Sequence, residues 1–206
     1  MSSRDAVIDQ ALAHLQRCDP IMDRLIRSAP RFDVRPTRNR FATLARSITS
    51  QQISTKAADA IWKRLETRLG SRTVMAECLA MLPAEQIREC GLSGRKASYL
   101  TELAQRTLDG SIPLRNLGRL DDDEVIRSLI ACKGVGRWTA QMFLIFGLGR
   151  FDVLATDDFG LRSAVRSLYR LQALPAKDEF ERIAEPWRPY ASVASWYCWR
   201  SLEAPS

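Results

Sequence analysis

The 206-residue sequence predicts an almost entirely α-helical fold. Apolar residues recur at three- and four-residue spacing in one segment after another. Capping residues stand where several of those segments begin. No segment alternates apolar and polar residues at period two over the length of a strand. Hydrophobic residues make up 46% of the chain, against 10 glycines and 9 prolines, which describes a packed globular protein rather than a disordered one. The net charge of +7 fits a polyanionic partner, although charge alone does not separate it from basic proteins that bind no nucleic acid.

The elements follow in order. Residues 5–30 carry Val7, Ile8, Ala11, Leu12 and Leu15, then Ile21, Met22, Leu25 and Ile26, at helical spacing. Asp19-Pro20 divides them into two helices, with Asp19 as cap and Pro20 in the first turn. His14, the one histidine, is read as structural. Residues 29–36 form a linker with Arg31, Arg35, Arg38 and Arg40 around it, after which Phe41, Leu44, Ala45 and Ile48 resume the period. Ser50-Gln51-Gln52-Ile53-Ser54 interrupts, and residues 55–69 make a further helix with Ala58, Ile61, Trp62 and Leu65. In a loop between helices, paired glutamines can simply satisfy backbone groups. Residues 83–88 open a short helix, and Ser93-Gly94-Arg95-Lys96 begins one that runs through Leu103 and Ala104. That start is either an ordinary capped turn or a place where amides and two cations meet a phosphate. Residues 108–120 are loop, and Asp121 to Glu124 place acids at the positive end of the next helix.

Residues 129–162 organise the rest: a helix end, the turn Cys132-Lys133-Gly134-Val135-Gly136, a helix over 137–148, a loop, and Asp157-Asp158 opening another helix. Gly134 and Gly136 permit dihedrals and a close ligand approach that other residues resist. Trp138, Ala140, Met142, Phe143, Ile145 and Phe146 cover most of the surface of the 137–148 helix, so it should be largely buried. A helix start of this kind offers unpaired N–H groups to a phosphate. After it, Leu161, Val165, Leu168 and Tyr169 continue a helix, residues 174–177 are loop, and residues 180–184 form a short helix ended by Pro186. The last helix starts at Trp187-Arg188-Pro189-Tyr190 and carries Val193, Trp196, Tyr197 and Trp199.

Five cysteines (Cys18, Cys78, Cys90, Cys132, Cys198) are scattered and never in C-x-x-C spacing, which argues for reduced thiols and against a zinc site. The N-terminal residues contain no apolar signal core and no apolar run approaches membrane-spanning length. The protein should be soluble, cytoplasmic and monomeric, associated with the nucleoid if bacterial.

The 129–140 segment with Ala155-Thr156-Asp157-Asp158-Phe159-Gly160 resembles the helix-hairpin-helix and Gly/Pro…Asp signature of base-excision DNA glycosylases, in the alkylbase (3-methyladenine) glycosylase II branch. SITSQQISTKAADAIWKRL is similar to that family's minor-groove loop, GLSGRK to its GLS-x-RK element, and RPYASVASWYCWR to its closing helix. The likeness spans residues 35–200 in four segments in order.

The resemblance implies two helical lobes with a cleft between them: residues 1–35 with 165–206, and residues 36–164 holding the helix-hairpin-helix (about 123–148) and the aspartate loop. It implies a monofunctional glycosylase that flips alkylated purines from double-stranded DNA and hydrolyses the N-glycosidic bond. Asp158 matches the essential acid, although by position alone it reads as a helix cap; Asp157 is the lesser candidate for the acid and an alternative source of the cap. Trp138 stands where lyase members carry a Schiff-base lysine, so lyase activity should be absent. Trp138, Trp199, Met142 and Phe159 match base-pocket positions, where indoles stack on a cationic base, while Trp199 reads equally as a core anchor. Gln51, Gln52, Ile53 and Ser54 match the loop that fills the gap left by a flipped base. Gly134, Gly136, Arg137, Thr139, Arg95 and Lys96 are expected at phosphates. In similar hairpins backbone carbonyls, here those of Ile130, Cys132 and Val135, hold Na+ or K+. No other cofactor is expected, and the lack of clustered C-terminal cysteines argues against an iron–sulfur cluster. Three rivals remain: the same fold acting on another purine lesion, a DNA-binding module without catalysis, and a lyase using Lys133 or Lys96.

Overall fold

A computed structural model describes residues 3–70 and 74–203. Among them there are helices, turns and loops and no strand, so the all-α expectation holds. The chain forms two compact units, residues 1–35 with 149–206 and residues 36–148.

The first unit contains α1 (Ser3–Cys18), α2 (Pro20–Ser28), α10 (Phe159–Leu168), α11 (Lys177–Ala184) and α12 (Ala191–Glu203). Asp19 caps α2 as expected: one carboxylate oxygen, Oδ1, accepts from the Ile21 and Met22 N–H groups at 2.8 and 3.3 Å. Ile8, Leu15, Met22, Phe32, Val165, Phe180, Trp187 and Tyr197 pack one core from both halves of the sequence. His14 accepts its structural role, with Nε2 2.9 Å from the Pro186 carbonyl.

The boundary expected at residue 164 lies instead at Leu148/Gly149. The segment after Gly149 is bound to the start of α12. Ser192 N–H donates to the Phe151 carbonyl at 2.9 Å and Val153 N–H to Ser192 Oγ at 2.8 Å. Asp152 accepts from Ala191 N–H at 3.1 Å and pairs with Arg188 at 2.8 Å. Those bonds place the aspartate loop with the terminal unit. The last helix begins at Ala191, after a 3-10 turn over Glu185–Trp187, rather than at Trp187.

The second unit contains α3 (Arg40–Ser50), α4 (Thr55–Arg68), α5 (Ala76–Ala80), α6 (Ala84–Glu89), α7 (Gly94–Leu108), α8 (Asp122–Ile130) and α9 (Arg137–Met142). Ser93 caps α7 through a 3.3 Å bond from Lys96 N–H. Asp121 and Glu124 form a reciprocal capping box on α8. The helix expected over 137–148 is α-helical only to Met142. It continues as a π-helical turn over Phe143–Gly147, closed by Leu148 N–H on the Phe143 carbonyl at 2.9 Å. Trp138 and Phe146 on this stretch stay 42% and 37% exposed, so it is less buried than its composition suggests. No helix among the described residues is long and apolar enough to cross a membrane.

Candidate nucleic-acid interface and acid site

In the second unit, α8 and α9 are joined by a turn closed by Cys132 N–H on the Leu129 carbonyl and Val135 N–H on the Cys132 carbonyl, at 3.0 and 3.1 Å. Its two glycines differ. Gly134 has φ +84°, and a Cβ there would lie 2.2 Å from Tyr99 Cδ2. Gly136 has φ −87°, caps α9, and a Cβ there would meet nothing within 4 Å. Only Gly134 is demanded by the protein itself; at Gly136 the remaining reason for glycine is approach from outside. Gly134→Ala is therefore expected to destabilise the protein by about 2 kcal/mol, through strain and overpacking against Tyr99. Gly136→Ala should stay within about 0.5 kcal/mol of wild type in urea denaturation. Equal losses in the two variants would refute this distinction.

An open groove of about 730 Å³ runs along this turn, lined by Ile130, Cys132, Lys133, Gly134, Val135 and Gly136, by Gln51 and Gln52, and by Arg95 and Lys96. Thus the glutamine loop, the hairpin and the start of α7, separate in sequence, share one surface.

Inside it the side chains divide. The Gln51 amide donates to the Gly134 carbonyl at 2.8 Å and lies 3.5 Å from Thr139 Oγ1. Ser54 Oγ caps α4 by accepting from Ala57 N–H at 3.3 Å. Gln52 and Ile53 are the exposed pair between them. Gln52 has φ +56°, a left-handed conformation that costs a non-glycine residue about 1–2 kcal/mol. So of the four loop residues expected to fill a flipped base's gap, two are occupied holding the loop. Gly134, Gly136, Arg137 and Arg95 lie on or beside the exposed turn. Thr139 does not: its residue is only 3% exposed, because the third position of α9 faces inward. Lys96 also departs from expectation, as its ammonium donates to the Thr49 and Gln51 carbonyls at 2.8 and 2.6 Å.

Burial, and next the Glu102 carboxylate, push the Cys132 thiol up to about 11. It stays protonated at neutral pH. No group of three or more His, Cys, Asp or Glu among the described residues could hold a metal ion. Ile130, Cys132 and Val135 line the groove beside the glycines, and the Cys132 carbonyl accepts from Val135 N–H.

In the first unit, Asp158 is the cap of α10, and the residue is buried, at 9% exposure. Oδ1 accepts from Leu161 N–H at 2.6 Å and from the Trp199 indole N–H at 2.9 Å. The bond from Trp199 was not legible in the sequence, which left that indole as a pocket wall or a core anchor. A Cβ on Gly160 would lie 3.3 Å from the same Oδ1 and 3.7 Å from Trp199 Cδ1, so glycine keeps that approach clear. Asp157, the alternative source of the cap, is exposed, and Asp158 fills that role. Phe159 is 70% exposed, and Met142 in the other unit is half-buried.

Comparison with known proteins matches residues 45–189 to the HhH-GPD superfamily of base excision DNA repair proteins. The chain is 34% identical over 201 residues to DNA-3-methyladenine glycosylase 1 of Schizosaccharomyces pombe, covering 94% of this chain and 87% of that protein. Among solved structures, the S. pombe 3-methyladenine DNA glycosylase in complex with abasic DNA superposes with a TM-score of 0.81 at 33% identity, covering 95% of this chain and 97% of that one. The DNA-3-methyladenine glycosidase of Bacillus halodurans gives 0.82 at 32% identity, covering 93% and 88%.

Proposed function

The chain belongs to the HhH-GPD superfamily of base excision DNA repair proteins, and from that premise we propose that it is a monofunctional DNA glycosylase. It flips alkylated purines of the 3-methyladenine and 7-methylguanine type from duplex DNA and hydrolyses the N-glycosidic bond, leaving an abasic site. The names of the relatives support the substrate class. The observation that carries the chemistry is Asp158: a buried carboxylate oriented by two N–H donors on one oxygen, beside a glycine.

Breaking a glycosidic bond builds positive charge on the deoxyribose, and a fixed carboxylate stabilises that charge. As the C1′–N bond breaks, its electron pair leaves with the base. A water oxygen bonds to C1′, and the carboxylate takes the water's proton. One acid suffices, because an alkylated purine that already carries positive charge departs neutral without being protonated first. The half-exposed Trp138 indole gives such a base a face to stack on, worth about 0.5–2 kcal/mol as a cation–π contact. An indole cannot form a Schiff base, so the reaction ends at the abasic site. DNA is held through its phosphates by the amides around Gly134 and Gly136 with Arg137 and Arg95, which fix position without reading sequence. By the family resemblance, a monovalent cation at that contact would be held by the carbonyls of Ile130, Cys132 and Val135 and would offer its charge to the phosphate.

Incubation with methylated duplex DNA is expected to release free methylpurines, measured by chromatography, with no borohydride-trapped protein–DNA adduct. A trapped adduct would place the protein among the lyases. Binding without release would leave a DNA-binding module.

A further inference from the structure

We propose that Lys96 is a positioning residue for the loop that probes DNA, not a phosphate contact: its ammonium clamps the carbonyls where α3 ends while Gln51 ties the same loop to the hairpin. The inference rests on the glycosylase reading above, because it assigns the loop a task in base flipping.

The last four carbonyls of a helix have no partner within the helix. At the end of α3 (Arg40–Ser50), Lys96 Nζ supplies a partner to Thr49 at 2.8 Å and to Gln51, the first residue beyond, at 2.6 Å. A cation there also complements the negative end of the helix dipole. Burial lowers the lysine's pKa somewhat, as expected for an ammonium drawn into the protein. The Gln51 side chain then reaches the Gly134 carbonyl at 2.8 Å. Gln51 is thus gripped at its carbonyl and at its amide, and the next residue is the strained Gln52 with φ +56°. A left-handed non-glycine residue persists where its surroundings over-determine it. The two grips on its neighbour do that, and they hold Gln52 at the groove with the exposed Ile53 next to it in sequence.

The anchor for both grips is one helix. Lys96, Tyr99 and Glu102 follow one another at three-residue spacing along α7, and so share a face. Lys96 holds the glutamine loop. The Tyr99 ring fills the space where Gly134 would otherwise carry a Cβ. Glu102 accepts from Lys133 N–H at 3.4 Å. Through α7 the probing loop and the phosphate-binding turn are set at one spacing, before DNA arrives.

A phosphate contact and a positioning contact differ in measurable ways. Each phosphate neutralised on duplex DNA contributes about 0.9 to the slope of log affinity against log salt concentration. Lys96→Met is expected to leave that slope, measured on undamaged duplex between 50 and 200 mM NaCl, as in the wild type. The single-turnover excision rate on methylated duplex at saturating protein should fall about 10–100-fold, as misplaced groups do. A slope lowered by about one overturns the inference, whatever the rate. So does an unchanged slope with an unchanged rate. If Lys96→Met shows no cooperative thermal transition, Gln51→Leu decides. It carries no charge and removes the second grip, so the rate at saturation must fall several-fold, and a wild-type rate overturns the inference. A wild-type protein that releases no methylpurine defeats the glycosylase reading, and this inference with it. A wild type that excises while Lys96→Met loses slope defeats the inference alone.

Discussion

Asp158→Asn is expected to lower the release of methylpurines about 10²–10⁴-fold while the protein folds and binds DNA as before. The substitution separates two roles that the position itself confounds. As the cap of α10, Asp158 needs only an oxygen acceptor for Leu161 N–H, and the asparagine side chain supplies one equally well. The same oxygen can keep the bond from the Trp199 indole. What asparagine lacks is the negative charge that answers the growing charge on the sugar, and the capacity to take a proton from water. Thermal midpoint and duplex affinity should therefore stay close to wild type as the single-turnover rate collapses. A variant that keeps its midpoint and its rate would make Asp158 a cap and nothing more. One that loses both together would leave the acid role unsupported and point to packing around Trp199.

How much of this was legible in the sequence depends on the range of the forces involved. The helices and their starts were readable because period and capping are local: Asp19-Pro20, Ser93 and the Asp121–Glu124 box all act within a few residues of themselves. The hairpin was readable for the same reason. The Leu148/Gly149 boundary was not, since it rests on bonds from Phe151, Asp152 and Val153 to residues about forty positions later. Composition alone could not foresee the π-helical turn over Phe143–Gly147, because an α-helix with the same apolar residues satisfies the same pattern. Lys96 shows the limit most clearly. A lysine beside an arginine at a helix start reads as a pair of phosphate contacts. Only the fold reveals that α7 delivers one of the two to carbonyls 45 and 47 residues earlier. Thr139 shows the same limit: three residues beyond Gly136 at the start of α9, helical geometry turns its side chain toward the interior, which the local sequence does not display.

The other large effect concerns the fold that carries Asp158, and it starts from Asp19. This residue is 6% exposed, and its two oxygens have different tasks. Oδ1 caps α2. Oδ2 accepts from the Trp187 indole N–H at 3.1 Å and from the Tyr169 hydroxyl. Burial first, then the Asp19 carboxylate, drive the Tyr169 pKa far above its ordinary value, so the phenol remains a donor throughout the neutral range. The sign follows from that shift. A group whose pKa is raised on folding contributes stability below its unfolded value of about 10 and loses it as pH climbs beyond, so this network should weaken in alkali and not at neutral pH. Asp19→Ala strands a half-buried phenol and a buried indole N–H and removes a cap at once. It is expected to cost about 3–5 kcal/mol, most of it from the stranded donors. Asp19→Asn keeps the capping oxygen but presents an amide nitrogen or a single shared oxygen to Tyr169 and Trp187, and should recover only part of the loss. Urea denaturation of the two variants at pH 7 measures both. If Asp19→Asn proves as stable as wild type, the second oxygen contributes nothing, and α2 needs only its cap. If it falls between wild type and Asp19→Ala, the carboxylate ties α2 to Tyr169 and Trp187, beyond the ends of α10 and α11. It then joins the N-terminal helices to the end of the acid site's own helix and the turn after α11, although about 150 residues separate Asp19 from Tyr169 in sequence.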